Sequence, residues 1–409
     1  MKTYFAIEKH YGLLDQMLVS GGNFLTLALC ANYLPLEEQG KFIYIFSTYI
    51  GVVLLNVSGL FQGAAVRAPN QDLFYETVLA RMQVLMAFLY SALLAVVWYL
   101  FGSYFGWRLT IPMVFLLACF LGIQQLADFK RRISYIFASS KEACKSSAFI
   151  YPIRIICIGF LRPDNIVSVL LILLITALIP ATMTIAIAVK EKISYSSTTT
   201  KALDHLHFSW LFTVGSILNW LWSYAPIFLL GALQGKGAAA LVASIRGISS
   251  VANIFAEQLE TKAAADWARI LHHQGENELK LKIAALNRIA FIFWLLVMLL
   301  VWFFGETIVT LLLGDAYTQH AYLLDIAWIS YGAFFISRIY GIKHRTFGDN
   351  RIEFFAGMCG LLASVIGSFW LIPLYGTKGA TSVYVLVAIV MYFSQVVFFR
   401  FMSTKNKSS

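Results

Sequence analysis

Arg246, Ser250, Asn253 and Glu257 follow one another at intervals of four, three and four residues within an otherwise apolar run. On a helix that spacing puts a cation, a hydroxyl, an amide and a carboxylate on one face. Such a face has two uses. Its groups can satisfy one another and glue helices together, or they can line a wet cavity and meet a substrate there. The device recurs with Gln16, Ser20 and Asn23, beside Asp15, and again with Ser216, Asn219 and Ser223, where Pro226 offers a kink. Arg154 sits alone in another apolar run, two residues after Pro152. Candidates for contacting substrate are therefore Arg246, Arg154, Asn253, Ser250, Asn23, Gln16 and Asn219. Asp15, Glu257 and Asp325 are the candidates for ion coupling, and Asp325 reads equally as a pairing partner. Cations facing a cavity suit an anion: a pyrophosphate or uronic-acid group needs positive charge on leaving water.

The elements that must position these residues follow from composition. The chain has 409 residues, 59% hydrophobic and 13% charged, with 33 Phe, 20 Tyr and 10 Trp. Mean hydropathy is +0.74. Soluble domains carry roughly 25% charged residues, so too little polar surface exists here to coat one core. That excludes a soluble enzyme, a disordered tail and a secreted disulfide scaffold. Five cysteines form no C-x-x-C pair and read as core packing. The N-terminal apolar stretch is interrupted by Asp15, Gln16 and Asn23 and reads as an uncleaved first membrane helix.

A bilayer core needs ~20 mainly apolar helical residues. That ruler gives twelve expected spans, near 11–33, 41–65, 77–101, 110–127, 146–161, 166–189, 207–231, 237–258, 283–304, 320–341, 352–374 and 380–402. With both termini taken as cytoplasmic, 22 of the 31 Lys and Arg fall on the inner side, five on the outer side and four (Arg154, Arg246, Arg288, Arg338) within spans. Basic loops are retained inside during insertion, so the asymmetry fixes orientation and supports the count. The formal charge of +10 is thereby a topological signal that also attracts anionic inner-leaflet lipids, and no nucleic acid is needed. Arg288 and Arg338 lie within five or six residues of inner-side lysines and read as snorkelling. Asn56 shares a face with Gly59 and Gly63, a pattern for close helix packing.

The polar stretch 190–207 lies mid-chain and reads as a cytoplasmic linker between two six-helix halves: 1–195, a linker 196–206, and 207–409. His205 and His207 fall at its end and are not expected to bind metal. The connections 128–145 and 259–282 are long enough for short helices, and 305–319 reads as the longest outer loop. No G-x-x-x-x-G-K-[ST] or G-x-G-x-x-G motif occurs, which excludes an ATP-driven pump on one chain, and no cofactor is expected.

Asp15-Gln16-x4-Gly21-Gly22-Asn23-Phe24-Leu25 followed by Glu37-Glu38-Gln39-Gly40-Lys41-Phe42 resembles the first hairpin of bacterial polysaccharide flippases. Gln125-x2-Asp128-Phe129-x-Arg131-Arg132 resembles the same family's inner loop, and Ile372-Pro373-x-Tyr375-Gly376-x2-Gly379-Ala380 its last connection. These flippases belong to the multidrug/oligosaccharidyl-lipid/polysaccharide exporter superfamily. The resemblance implies an all-α integral membrane protein, twelve transmembrane helices in two six-helix halves forming a V-shaped alternating-access bundle. In Wzx-like members the cargo is an undecaprenyl-pyrophosphate-linked oligosaccharide moved from inner to outer leaflet of the bacterial inner membrane, with H+ or Na+ coupling. It also implies polysaccharide polymerase and chain-length machinery as partners, and structural roles for the quoted motifs. Two other functions compete. An ion-coupled multidrug exporter of the same superfamily would favour acidic cavity groups, and a membrane glycosyltransferase or polymerase would carry a large outer loop.

Overall fold

The computed structural model describes residues 2–62, 64, 75–105, 107, 109–190, 195–251, 267, 270–346 and 351–405. Among these the regular elements are all helical. In chain order they are α1 (Lys2–Tyr33), α2 (Leu36–Asn56) with a π turn (Val57–Gln62), α3 (Tyr75–Phe101), α4 (Ile111–Phe137), α5 (Ser140–Leu161) and α6 (Ile166–Lys190). There follow α7 (Tyr195–Gln234), α8 (Lys236–Ser249), α9 (Glu276–Leu313), α10 (Tyr322–Thr346) and α11 (Arg351–Lys405). Nine helices among the described residues are long and apolar enough to cross a membrane. The protein is a multi-pass membrane protein, and its exposed large side chains (Phe88, Phe160, Trp302, Phe303, Trp370) are the surface that hydrocarbon rather than water tolerates.

The chain forms two compact units, Met1–Trp220 and Leu221–Ser409. In the first, α1 packs on α5, and α3 and α6 pack on α4. Gly22 makes the α1–α5 approach possible, since a Cβ there would lie 2.5 Å from the Tyr151 ring. In the second, α10 packs against α11, α9 and α8.

Several sequence expectations change. The segment 128–145 is not a loop with short helices: α4 continues to Phe137, and α5 begins at Ser140 after Ser139 accepts the Glu142 amide at 3.3 Å. The Asp128–Arg132 motif is therefore helical. The stretch 196–206, expected as a linker, forms the first turns of α7. The outer loop expected from 305 begins only at Gly314, because α9 runs on to Leu313. Of the expected eighth span 237–258, α8 covers Lys236–Ser249; Asn253 and Glu257 lie outside the described residues.

The 55 residues of α11 are two arms, since Gly376 has φ 58° and ψ −129°. The arms run antiparallel. Gly360 meets Met391, Gly367 meets Leu386, and the Phe355 and Phe398 rings lie 5.4 Å apart. A Cβ on Gly379 would strike the Leu371 carbonyl, so this residue sets how closely the arms cross just beyond the turn. The Pro373-to-Ala380 motif is the turn of a helical hairpin.

Candidate substrate-binding site

Proline decides the geometry around Arg246. Pro226 has no N–H, so the carbonyl four residues earlier, that of Trp222, has no helical donor. The Trp222 and Ser223 carbonyls both take donors from other helices. Ser364 on the first arm of α11 donates its hydroxyl to Trp222 O at 2.9 Å. Ser223 O takes two donors, the Tyr384 hydroxyl at 2.9 Å and Arg246 Nη1 at 3.0 Å. The Trp222 ring stacks on Phe334 at 5.0 Å, which anchors this turn in the core of this unit.

Arg246 is thereby held on a carbonyl with aromatic rings around it. Its guanidinium carbon lies 4.0 Å from the Tyr384 ring centre and 5.9 Å from that of Tyr224, and Tyr331 is a further hydrogen-bond partner. Among the described residues no carboxylate forms an ion pair with it. Cation–π contacts supply ~2 kcal/mol when desolvated, whereas desolvating a lone cation costs several kcal/mol. Among the described residues the site is therefore short of negative charge. An anionic group could supply it.

Arg154 is a second cation of the same kind, in the first unit. It is 3% exposed, donates from Nη2 to Gln124 Oε1 at 3.1 Å, and lies 5.2 Å from the Tyr151 ring centre. Gln124 is fixed in turn by donating to Leu173 O at 2.5 Å. Arg154 Nε is buried without a partner.

The other candidates separate. Asp15 is fully buried in an ion network: Arg131 Nη1 at 2.8 Å, the Tyr135 hydroxyl at 2.6 Å and the Ser147 hydroxyl at 2.5 Å all donate to it. Arg131 and Arg132 also pair with Asp128, at 3.1 and 2.6 Å. Gln16 donates to Ser20 along its own helix at 3.4 Å. Ser250 turns its hydroxyl back to Gly247 O at 2.6 Å and so closes the end of α8 rather than extending the Arg246 face. Asn23 is half-buried on α1 and Asn219 is exposed on α7. Asp325 is half-buried in the first turn of α10, with no ion pair among the described residues. The described residues contain no cluster of three or more His, Cys, Asp or Glu fit for a metal.

The sequence matches no protein-family model and no curated protein. Solved structures do match. Lipid II flippase MurJ in an inward closed conformation aligns with TM-score 0.71 and 13% identity, over 97% of this chain and 87% of that one. An inward-facing multidrug resistance MATE family transporter of the MOP superfamily aligns with TM-score 0.69 and 13% identity, over 98% and 95%. A MOP superfamily transporter from Pyrococcus furiosus, reported with a binding pocket of reversed polarity, aligns with TM-score 0.54 and 15% identity, over 98% and 92%. The chain shares the fold of these structures.

Within this fold the candidate-site residues that the sequence hid are tyrosines. Tyr224, Tyr331, Tyr384 and Tyr151 carry no spacing that separates them from the chain's other tyrosines, and each meets its arginine through tertiary packing. Pro226 was the available signal, because a proline inside an apolar helix requires donors from neighbours. His205 was hidden more completely. Placed in a linker by its polar surroundings, it is fully buried and bonded to Tyr75 and Gly59.

Proposed function

We propose that this protein is a flippase carrying an undecaprenyl-pyrophosphate-linked oligosaccharide from the inner to the outer leaflet of a bacterial inner membrane, for surface polysaccharide synthesis. The observation that carries the proposal is Arg246, held by a carbonyl and three tyrosines and without a carboxylate partner among the described residues. A guanidinium has donors to spare for phosphate oxygens, and tyrosine faces and hydroxyls suit a sugar beside it. Arg154 offers a second anion contact. The reading takes the second arm of α11, α8 and α10 as further spans beside the nine long apolar helices, which would give the two six-helix halves of an alternating-access transporter. Polymerase and chain-length machinery would then receive the flipped product.

The test is leaflet-resolved measurement of lipid-linked sugars in cells lacking the gene. Accumulation on the inner leaflet is expected. Arg246→Ala should insert normally and fail to restore export; full export by a correctly inserted variant would remove Arg246 from the mechanism. A second reading, an ion-coupled exporter of cationic drugs, has in its favour Asp325, which forms no ion pair among the described residues. Complete surface polymer with only drug sensitivity altered would establish that reading instead.

A further inference from the structure

We propose that Arg154 binds a single chloride ion inside the first unit. The side chain is 3% exposed. Among the described residues its one hydrogen bond runs from Nη2 to Gln124 Oε1 at 3.1 Å, and Nε is buried without a partner. Gln124 has nothing further to offer, because its amide nitrogen is committed to Leu173 O. A guanidinium carries five N–H donors and a full charge. Most of that capacity is unspent here, in an interior where unmade hydrogen bonds are costly.

The described residues supply no countercharge. The ionisable groups that act on Arg154 are Tyr151, Tyr49 and Cys30, uncharged as phenols and thiol. Asp15 and Asp128, buried in the same unit, are committed to Arg131 and Arg132. The Tyr151 ring, centred 5.2 Å from the guanidinium carbon, gives a π face but no net charge. One negative charge is missing, and a monovalent ion matches it. The donors for such an ion come from two helices. Besides the free N–H groups of Arg154 on α5, the Tyr49 hydroxyl on α2 and the Tyr151 hydroxyl on α5 form no hydrogen bond among the described residues. A phosphate would bring more charge than Arg154 balances, and more oxygens than these donors serve. Chloride carries one charge and accepts from any direction. A cargo phosphate would have to displace it, so the inference stands apart from the proposed function.

The experiment is thermal unfolding of the purified full chain in detergent, without cargo, in sodium chloride and in sodium gluconate at matched ionic strength. Chloride should raise the melting temperature saturably, by about 2–4 °C at ten times its Kd, and bromide should substitute for it. Arg154→Gln keeps amide donors and loses the charge, so it should melt at one temperature in both salts. Arg246→Gln should keep the chloride response, which separates this site from the other buried cation. Should Arg154→Gln fail to fold, bromide decides on the wild type: crystals grown in it should show an anomalous peak against the Arg154 guanidinium. No chloride-specific shift in the wild type, a shift retained by Arg154→Gln, or a bromide peak only elsewhere would each overturn the inference. So would a shift that inorganic pyrophosphate produces and chloride does not, an outcome that would return Arg154 to the cargo.

Discussion

Asp15 and Arg131 are 116 residues apart in sequence and 2.8 Å apart in space. They belong to two different motifs of the flippase resemblance, one at the start of the chain and one at the end of α4. The structure joins these motifs in one buried network with Asp128, Arg132, Tyr135 and Ser147. The network ties α1 to α4 and α5, and Asp15 enters it with a committed counterion.

Asp15→Ala should therefore act on stability first. Removing one partner of a buried pair costs about 3–5 kcal/mol, because Arg131 keeps, among the described residues, only Asp128 on its other edge. A lowered melting temperature in detergent and reduced membrane yield are the expected readouts. Adding Arg131→Ala should cost less than the two single effects together. A fully stable Asp15→Ala that lost only its dependence on an ion gradient would restore Asp15 as a coupling site.

Arg246→Lys keeps the charge and loses the fork and the stacking on Tyr384, so export should remain far below wild type. Tyr384→Phe keeps the ring over the guanidinium and removes one donor to Ser223 O, a loss of about 1 kcal/mol in stability. Export should survive Tyr384→Phe better than Tyr384→Ala, measured at matched surface levels in the same strain.

Pro226→Ala returns an N–H to the Trp222 carbonyl. The Ser364 hydroxyl then competes for that carbonyl, and Ser223 O closes toward its own helix. The expected result is a protein no less stable than wild type but impaired in export, with altered Trp222 fluorescence as the structural readout.

The α11 turn separates two kinds of glycine requirement. Gly376→Ala forces a side chain into positive φ at about 1–3 kcal/mol, against a Gln234 amide that can move aside. Gly379→Ala meets the Leu371 backbone, which cannot. Folding yield, read by size-exclusion chromatography, should fall further for Gly379→Ala.

Apolar run lengths made the first six helices and α7 legible before any coordinates, because span length depends only on bilayer thickness. They misplaced ends where polar residues continue a helix, as at Asp128–Arg132 and 196–206. There charges pair across helices or a polar turn lies against the protein, and composition records neither. Arg246 and Arg154 were legible as costly cations. Their tyrosines were not, because a ring over a guanidinium is a tertiary fact. His205 shows the limit most sharply: its type and neighbours suggest solvent, while Tyr75 and Gly59, both distant in sequence, enclose it.

The π turn at Val57–Gln62 also bears on ancestry and engineering. Such a turn holds one residue more than an α turn, so α2 behaves as a regular helix carrying a single-residue insertion. An alignment with a relative lacking it should open a one-residue gap between 57 and 62. Deleting one residue there should return the turn to α geometry with the helix axis and its faces kept, whereas the same deletion in the regular part of α2 would rotate one side against the other by about 100°.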